Sequence, residues 1–157
     1  MLNIKKFRHI AIVVNYYQKM VDFYSKILGF KIIREFEIGS KDFRKGVGIP
    51  EATARVAHLS VPGNAVELEI AEYQEKVERN SKLSIANCPG YRHIALVVEN
   101  LETAYKDLKK MNIEFFSEPI LITNPENVAG FKFVYFKDPE GNIVELNQLP
   151  EMRERKA

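Results

Sequence analysis

The stretch Arg8-His-Ile-Ala-Ile-Val-Val14 returns almost unchanged as Arg92-His-Ile-Ala-Leu-Val-Val98. A second echo follows, with Gly63-Asn-Ala-Val-Glu-Leu68 returning as Gly141-Asn-Ile-Val-Glu-Leu146. A chain written twice is expected to fold as two like modules, which limits its architecture more than any single motif does. Each copy also carries one histidine near its start, His9 or His93, and one glutamate near its end, Glu67 or Glu145. Two neutral imidazoles and two carboxylates form an ordinary ligand set for a divalent metal such as Ni, Co, Zn, Mn or Fe.

Each copy reads as strand, helix, strand, strand, strand. The opening strands, His9 to Val14 and its repeat, are β-branched and apolar with a period of two. His9, Ala11 and Val13 fall on one face, and Ile10, Ile12 and Val14 fall on the other. The bulkier set should pack on a helix and leave the histidine face open. Asn15 and Asn100 are placed to cap the following helices. Their apolar stripes are Tyr17, Val21, Tyr24 and Leu28, then Leu101, Ala104, Leu108 and Met111. Gly29 and Asn112 suit left-handed stops. Second strands are expected at Phe30 to Glu37 and Ile113 to Phe116, and third strands at Ala52 to Ser60 and Gly130 to Lys137. Fourth strands follow at Ala65 to Ala71 and Ile143 to Gln148, after turn sequences at Pro62-Gly-Asn64 and Pro139-Glu-Gly-Asn142. Ile38 to Glu51 and Ser117 to Ala129 read as long loops, of the kind that line sites or vary on a surface.

The modules take residues 7–73 and 91–149 of one domain spanning 1–157, joined by a polar linker at 74–90. The charged tail from Glu151 is expected to fray. A formal charge of +2 gives no footprint for nucleic acid or an anionic membrane. No apolar run is long enough to span a bilayer, and charged Lys5, Lys6 and Arg8 replace the apolar core of a signal peptide. The single cysteine, Cys88, cannot form an intramolecular disulfide. A cytoplasmic enzyme or binding protein with a small-molecule partner is the expectation.

Glu67 and Glu145 lie in strands that otherwise read as buried, where a carboxylate is costly unless a cation or strong donors meet it. Glu69 shares the face of Glu67, but its counterpart by motif is Asn147. His58 has Phe136 as its counterpart and reads as a packed or edge histidine. Glu69 is thus the rival ligand of the first copy, with its counterpart against it, and His58 is not expected to be a ligand.

The helix ending Asp22-Phe-Tyr-Ser-Lys-Ile-Leu-Gly-Phe30, the strand-initial histidines and the late Asp138-Pro-Glu-Gly-Asn-Ile-Val-Glu-Leu146 resemble the vicinal oxygen chelate superfamily. That group includes glyoxalase I, methylmalonyl-CoA epimerase, extradiol dioxygenases and bleomycin-binding proteins. The resemblance covers about Phe7 to Leu149. It implies an α+β fold in which two tandem βαβββ modules form a cupped, mostly antiparallel sheet around a central cavity, with helices outside. It also implies one divalent metal held by His9, Glu67, His93 and Glu145, and a homodimer.

The His/Glu/His/Glu set is similar to that of glyoxalase I, which implies a lyase or isomerase that moves a proton through an enediolate, with Glu67 or Glu145 as the base. An extradiol Fe(II) dioxygenase is one alternative. A metal-free small-molecule binding protein of the bleomycin-resistance kind is another, with Phe43, Phe131, Phe133 and Tyr135 as its lining. The run after His9 lacks the arginine by which bacterial glyoxalase I holds glutathione. Arg44, Lys41 or Arg92 is then available for an anionic group, and Arg44 and Tyr135 are the residues expected at the substrate.

Overall fold

A computed structural model describes residues 2–150. The tail from Glu151 lies outside the described residues. The chain divides into two compact units between Glu78 and Arg79. No helix among the described residues is long and apolar enough to cross a membrane.

The first unit runs β1 (His9–Val13), α1 (Tyr17–Asp22), β2 (Lys31–Ile38), α2 (Lys41–Val47), β3 (Ala54–Ser60) and β4 (Glu67–Tyr73). The second runs β5 (His93–Val97), α3 (Leu101–Lys110), β6 (Ile120–Leu121), β7 (Lys132–Lys137) and β8 (Ile143–Gln148). Each unit closes its own four-stranded mixed sheet, in the orders β1-β4-β3-β2 and β5-β8-β7-β6. The first and last strands of each unit pair in parallel and the other pairs are antiparallel. Tandem βαβββ modules of the α+β class are therefore the observed architecture.

The apolar periodicity decides which side each helix covers. In the first unit Met20, Val21 and Tyr24 are buried, as are Ala57, Leu59, Leu68 and Ile70 on the covered side of the sheet. In the second, Leu101 and Leu108 are buried, as are Val134, Phe136, Val144 and Leu146. Full burial of each large apolar side chain stabilises by about 1.5–3 kcal/mol, so these layers hold the units together. The helix of the first unit widens to a π-turn over Phe23–Ile27, and Gly29 (φ 78°) turns the chain out of it. Asn112 (φ 61°) does the same after α3. Asn100 caps α3 by accepting from the Thr103 N–H.

Four expectations are corrected. Tyr16, not Asn15, is the N-cap of α1, and it makes no side-chain capping bond. The expected loop from Ile38 contains α2, capped by Ser40, whose hydroxyl accepts from the Phe43 N–H, and ended by left-handed Gly48. Ile113 to Phe116 is not a strand. Only Phe115 bridges there, to Phe136, and the outer strand is β6, inside what reads as a loop. Met111, expected on the apolar stripe, is 54% exposed beyond the last turn of α3.

Candidate metal centre

In the first unit, paired residues share a face, and the registers place His9 beside Glu67 and Ala11 beside Glu69. His58 lies opposite Glu69, and Arg34 lies opposite His58. The face away from α1 therefore collects His9, Arg34, His58, Glu67 and Glu69. Its other end is apolar, where Ala54, Val56 and Ala71 form a buried cluster against Ile38, Phe43 and Tyr73. Phe43 of α2 stacks on Tyr73 with ring centroids 6.2 Å apart, so α2 covers that end and leaves the polar end clear.

Glu67 is held by two donors. Arg34 Nη2 lies 2.7 Å from its Oε2, and His58 Nδ1 lies 2.8 Å from the same oxygen. The Arg34 guanidinium, helped by His58, holds the Glu67 carboxyl below the ordinary glutamate value. The other nitrogen of His58, Nε2, lies 3.0 Å from Glu69 Oε2. His9 Nε2 stands 3.8 Å from that oxygen. His9, His58 and Glu69 thus bring one potential ligand atom each to within 4.8 Å of one another.

In the second unit His93 Nε2 lies 3.1 Å from Glu145 Oε2, and Asn147 Nδ2 reaches Glu145 Oε1 at 3.4 Å. Tyr135 lies opposite Glu145 in the sheet. Burial, the Glu145 charge and a hydrogen bond to that carboxylate push the Tyr135 phenol above its ordinary value. Phe133, Phe116 and the His93 ring surround Tyr135, with centroids 5.5, 6.3 and 5.2 Å away.

The two units expose a difference in register that the repeated motif conceals. The Val14 N–H donates to the Ala71 carbonyl, and the Val98 N–H donates to the Asn147 carbonyl. Ala71 therefore stands where Asn147 does, and Glu69, not Glu67, occupies the place of Glu145. His58 correspondingly takes the place of Tyr135 rather than that of Phe136. The cause lies in the turns. Asp138 accepts from the Glu140 and Asn142 N–H groups, which closes the turn so that β8 begins at Ile143. In the first unit Asn64 accepts from the Val66 N–H, and β4 begins only at Glu67.

Each expected histidine–glutamate pair lies on one face of its own unit, but His9 faces Glu69 while Glu67 is held by Arg34 and His58. Arg44 is tied elsewhere, with Nη1 2.8 Å from Glu51 and Nε donating to the Ala52 carbonyl at 3.3 Å. The arginine at the site is Arg34. It sits between charged neighbours in Lys31-Ile-Ile-Arg-Glu-Phe36 and reaches the site only through the pairing of β2 with β3. The signal for Glu69 was its place on the Glu67 face, two residues on.

The donor chemistry fits a divalent cation. His9 Nδ1 is buried without a hydrogen-bond partner, so this imidazole has not spent its lone pair. Each unit sets at least one imidazole beside a carboxylate, and both groups suit borderline metals.

A profile described as the Glyoxalase/Bleomycin resistance protein/Dioxygenase superfamily matches residues 6–146. YwkD of Bacillus subtilis (strain 168), an uncharacterized protein, is 32% identical over 143 residues, covering 91% of this chain and 96% of its own. Human mitochondrial methylmalonyl-CoA epimerase is 28% identical over 155 residues, covering 93% of this chain and 75% of its own. A glyoxalase family protein from Bacillus cereus has the same fold, with a TM-score of 0.80 at 18% identity over 96% of this chain and 99% of that one.

Proposed function

Since the chain belongs to the Glyoxalase/Bleomycin resistance protein/Dioxygenase superfamily, we propose that it is a divalent-metal-dependent isomerase or lyase. In this reading it moves a proton at a carbon beside a carbonyl, on a small substrate with neighbouring oxygens. The observation that carries it is the pairing of an imidazole with a carboxylate on the open face of each unit, His9 with Glu69 and His93 with Glu145. The similarity to an enzyme named as an epimerase supports proton transfer in particular.

The ion-binding groups are His9 with Glu67 or Glu69 in the first unit, and His93 with Glu145 in the second. When bound, a divalent ion supplies positive charge beside the substrate oxygen on which negative charge develops. The protein supplies the base. Glu67 is held by a fixed cation, Arg34, and its lowered pKa makes it a weak proton acceptor. Glu145 instead meets an imidazole, an amide and a phenol, and it is 7% exposed. A sheltered carboxylate with no arginine of the protein beside it is the better base, because it need not part from a fixed side-chain cation before it takes a proton. Glu145 therefore accepts the proton from carbon and returns it. The Tyr135 phenol, kept protonated by its raised pKa, holds the carboxylate in place. The aromatic surface of Phe116, Phe133 and Tyr135 receives the apolar part of the substrate.

The test is metal analysis of purified protein followed by a substrate panel in deuterated water. Hemithioacetals and α-branched acyl thioesters should take up deuterium at carbon, with no oxygen consumed. Oxygen uptake with a catechol that requires Fe(II) would replace this reading with a dioxygenase. Failure to bind Ni, Co, Zn, Mn or Fe(II) would replace it with a binding protein.

A further inference from the structure

We infer that Asn147 is a specificity-determining residue that accepts a hydrogen bond from a hydroxyl or N–H group of the substrate, an inference that rests on the proton-transfer reading above. Its side chain is 7% exposed, and its Oδ1 is buried without a hydrogen-bond partner. An unpaired amide oxygen in the interior is costly, and folded proteins keep few of them. The amide is also oriented. A carboxylate oxygen accepts, so Asn147 turns its Nδ2 to Glu145 Oε1, 3.4 Å away, and its Oδ1 the other way.

The fold itself has no use for this amide. In the first unit the same place is held by Ala71, which lies in an apolar cluster under Phe43 of α2. A small apolar side chain therefore serves the sheet equally well. What sets Asn147 apart is its place in a site, on the open face of β8 and two residues beyond Glu145.

The neighbours on that face say where the missing donor comes from. Val97 of β5 and Phe133 of β7 pair with Asn147 on either side, and neither side chain carries a donor. Phe133 is stacked on Phe131 with centroids 6.1 Å apart. The donor thus has to arrive from outside the sheet, on a ligand seated over this aromatic surface. Because Oδ1 is covered, such a ligand reaches it by displacing a side chain. Val97, 63% exposed, has the room to give way. Residues two apart on a strand are about 6–7 Å apart, so the donor lies near the carbon at Glu145 and not on it. The substrate class is then a carbonyl compound with a hydroxyl or amide N–H on a carbon close to the one that exchanges its proton. A site of this kind rejects the analogue lacking that group, because its own acceptor is then left unpaired.

The experiment measures deuterium exchange by wild type, Asn147→Ala and Asn147→Leu, with zinc(II) present, on two pairs of compounds that differ by one hydroxyl. One pair is the isobutyryl and β-hydroxyisobutyryl thioesters of ethanethiol. The other is the ethanethiol hemithioacetals of methylglyoxal and hydroxypyruvaldehyde. In at least one pair wild type should favour the hydroxylated member by about 10–100-fold in kcat/KM. In both variants that ratio should fall to about threefold or less. In parallel, wild type carrying carbon-13 at its asparagine side-chain carbonyls is titrated with the same compounds. The Asn147 signal should shift with the hydroxylated member and not with its counterpart, which decides the matter even if the variants fail to fold. No preference in wild type, a preference kept in both variants, or an Asn147 signal blind to the hydroxyl would each overturn the inference. Exchange from none of the compounds, with an Asn147 signal that still answers to the hydroxyl, would overturn the proton-transfer reading and leave Asn147 a binding residue. Neither exchange nor a response would overturn both.

Discussion

Superposed by the pairing of their first and last strands, the two units build two different sites. The first places His9, His58 and Glu69 where the second places His93, Tyr135 and Glu145. Exchanging an imidazole for a phenol changes what the carboxylate can do. His58 stands between Glu67 and Glu69, 2.8 Å and 3.0 Å from their carboxylates, and Arg34 adds a permanent charge. Tyr135 offers Glu145 a single neutral hydrogen bond inside an aromatic surround. Further along the same face, Ala71 is covered beside Phe43 of α2, while Asn147 keeps a buried Oδ1 without a partner. The first unit is thus arranged to hold charge in place. The second sets Glu145 beside an imidazole, an amide and a phenol, the surroundings from which the proposed base role is argued.

The largest expected effect tests that contrast directly. Glu145→Gln should lower the rate of deuterium exchange into substrate by roughly 10²–10⁴-fold, the usual range for loss of a general base. Glu67→Gln should lower it far less, because that carboxylate is already committed to Arg34. Equal losses, or the reverse order, would mean that the division of labour between the units is misassigned.

Next in size is the core that carries the second site. Phe136 is fully buried in β7 next to Tyr135, and its ring meets Phe115 at 5.3 Å. Phe136→Ala should cost about 3–5 kcal/mol in chemical denaturation. The matching change on the first unit's covered sheet face, Leu59→Ala, should cost about 2–5 kcal/mol. A loss below about 1 kcal/mol at either site would mean that this helix–sheet layer is not what holds its unit together.

How these sites could be read from sequence divides along physical lines. The strand faces, the left-handed positions of Gly29 and Asn112, and the Asn100 cap were legible because each depends on a few adjacent residues. α2 left a signal of the same kind, Ser40 before it and Gly48 after it, hidden within a stretch that reads as a charged loop. The partner of His9 was not legible. The shared Val-Glu-Leu motif matches Glu67 to Glu145, but strand register is set by where the turn lets the strand begin. Asp138 closes its turn two positions earlier, relative to the motif, than Asn64 does. A shift of two residues keeps every side chain on its face, so the hydrophobic pattern cannot reveal it. His58 and Arg34 were hidden for a related reason, since they reach the site across strands and not along one.

A smaller effect concerns the phenol of the second unit. Tyr135→Phe keeps the ring and removes one hydrogen bond to Glu145, a loss of about 0.5–1.5 kcal/mol. Turnover should fall a few-fold with metal content unchanged. A loss as large as that of Glu145→Gln would make Tyr135 itself the proton donor.

The smallest effect separates the charged face of the first unit from an ordinary surface pair. The Glu67 carboxyl lies below its unfolded value, so its contribution to stability is complete above the ordinary carboxylate range and is lost as pH falls through the lowered value. Arg34 and Glu67 are 36% and 21% exposed, so solvent screens their attraction and the effect is modest. Arg34→Gln should therefore lower the denaturation midpoint slightly near about pH 7, and the gap to wild type should close as pH falls below the ordinary carboxylate range and through the lowered Glu67 value. The Lys132–Glu102 pair of the second unit is 3.4 Å apart and 30% and 50% exposed, so Lys132→Gln should open little gap at any pH. If the Arg34→Gln gap keeps its size in acid, the guanidinium stabilises by packing on the sheet and not through Glu67. The contrast between a charged first site and a neutral second one would then lose its electrostatic basis.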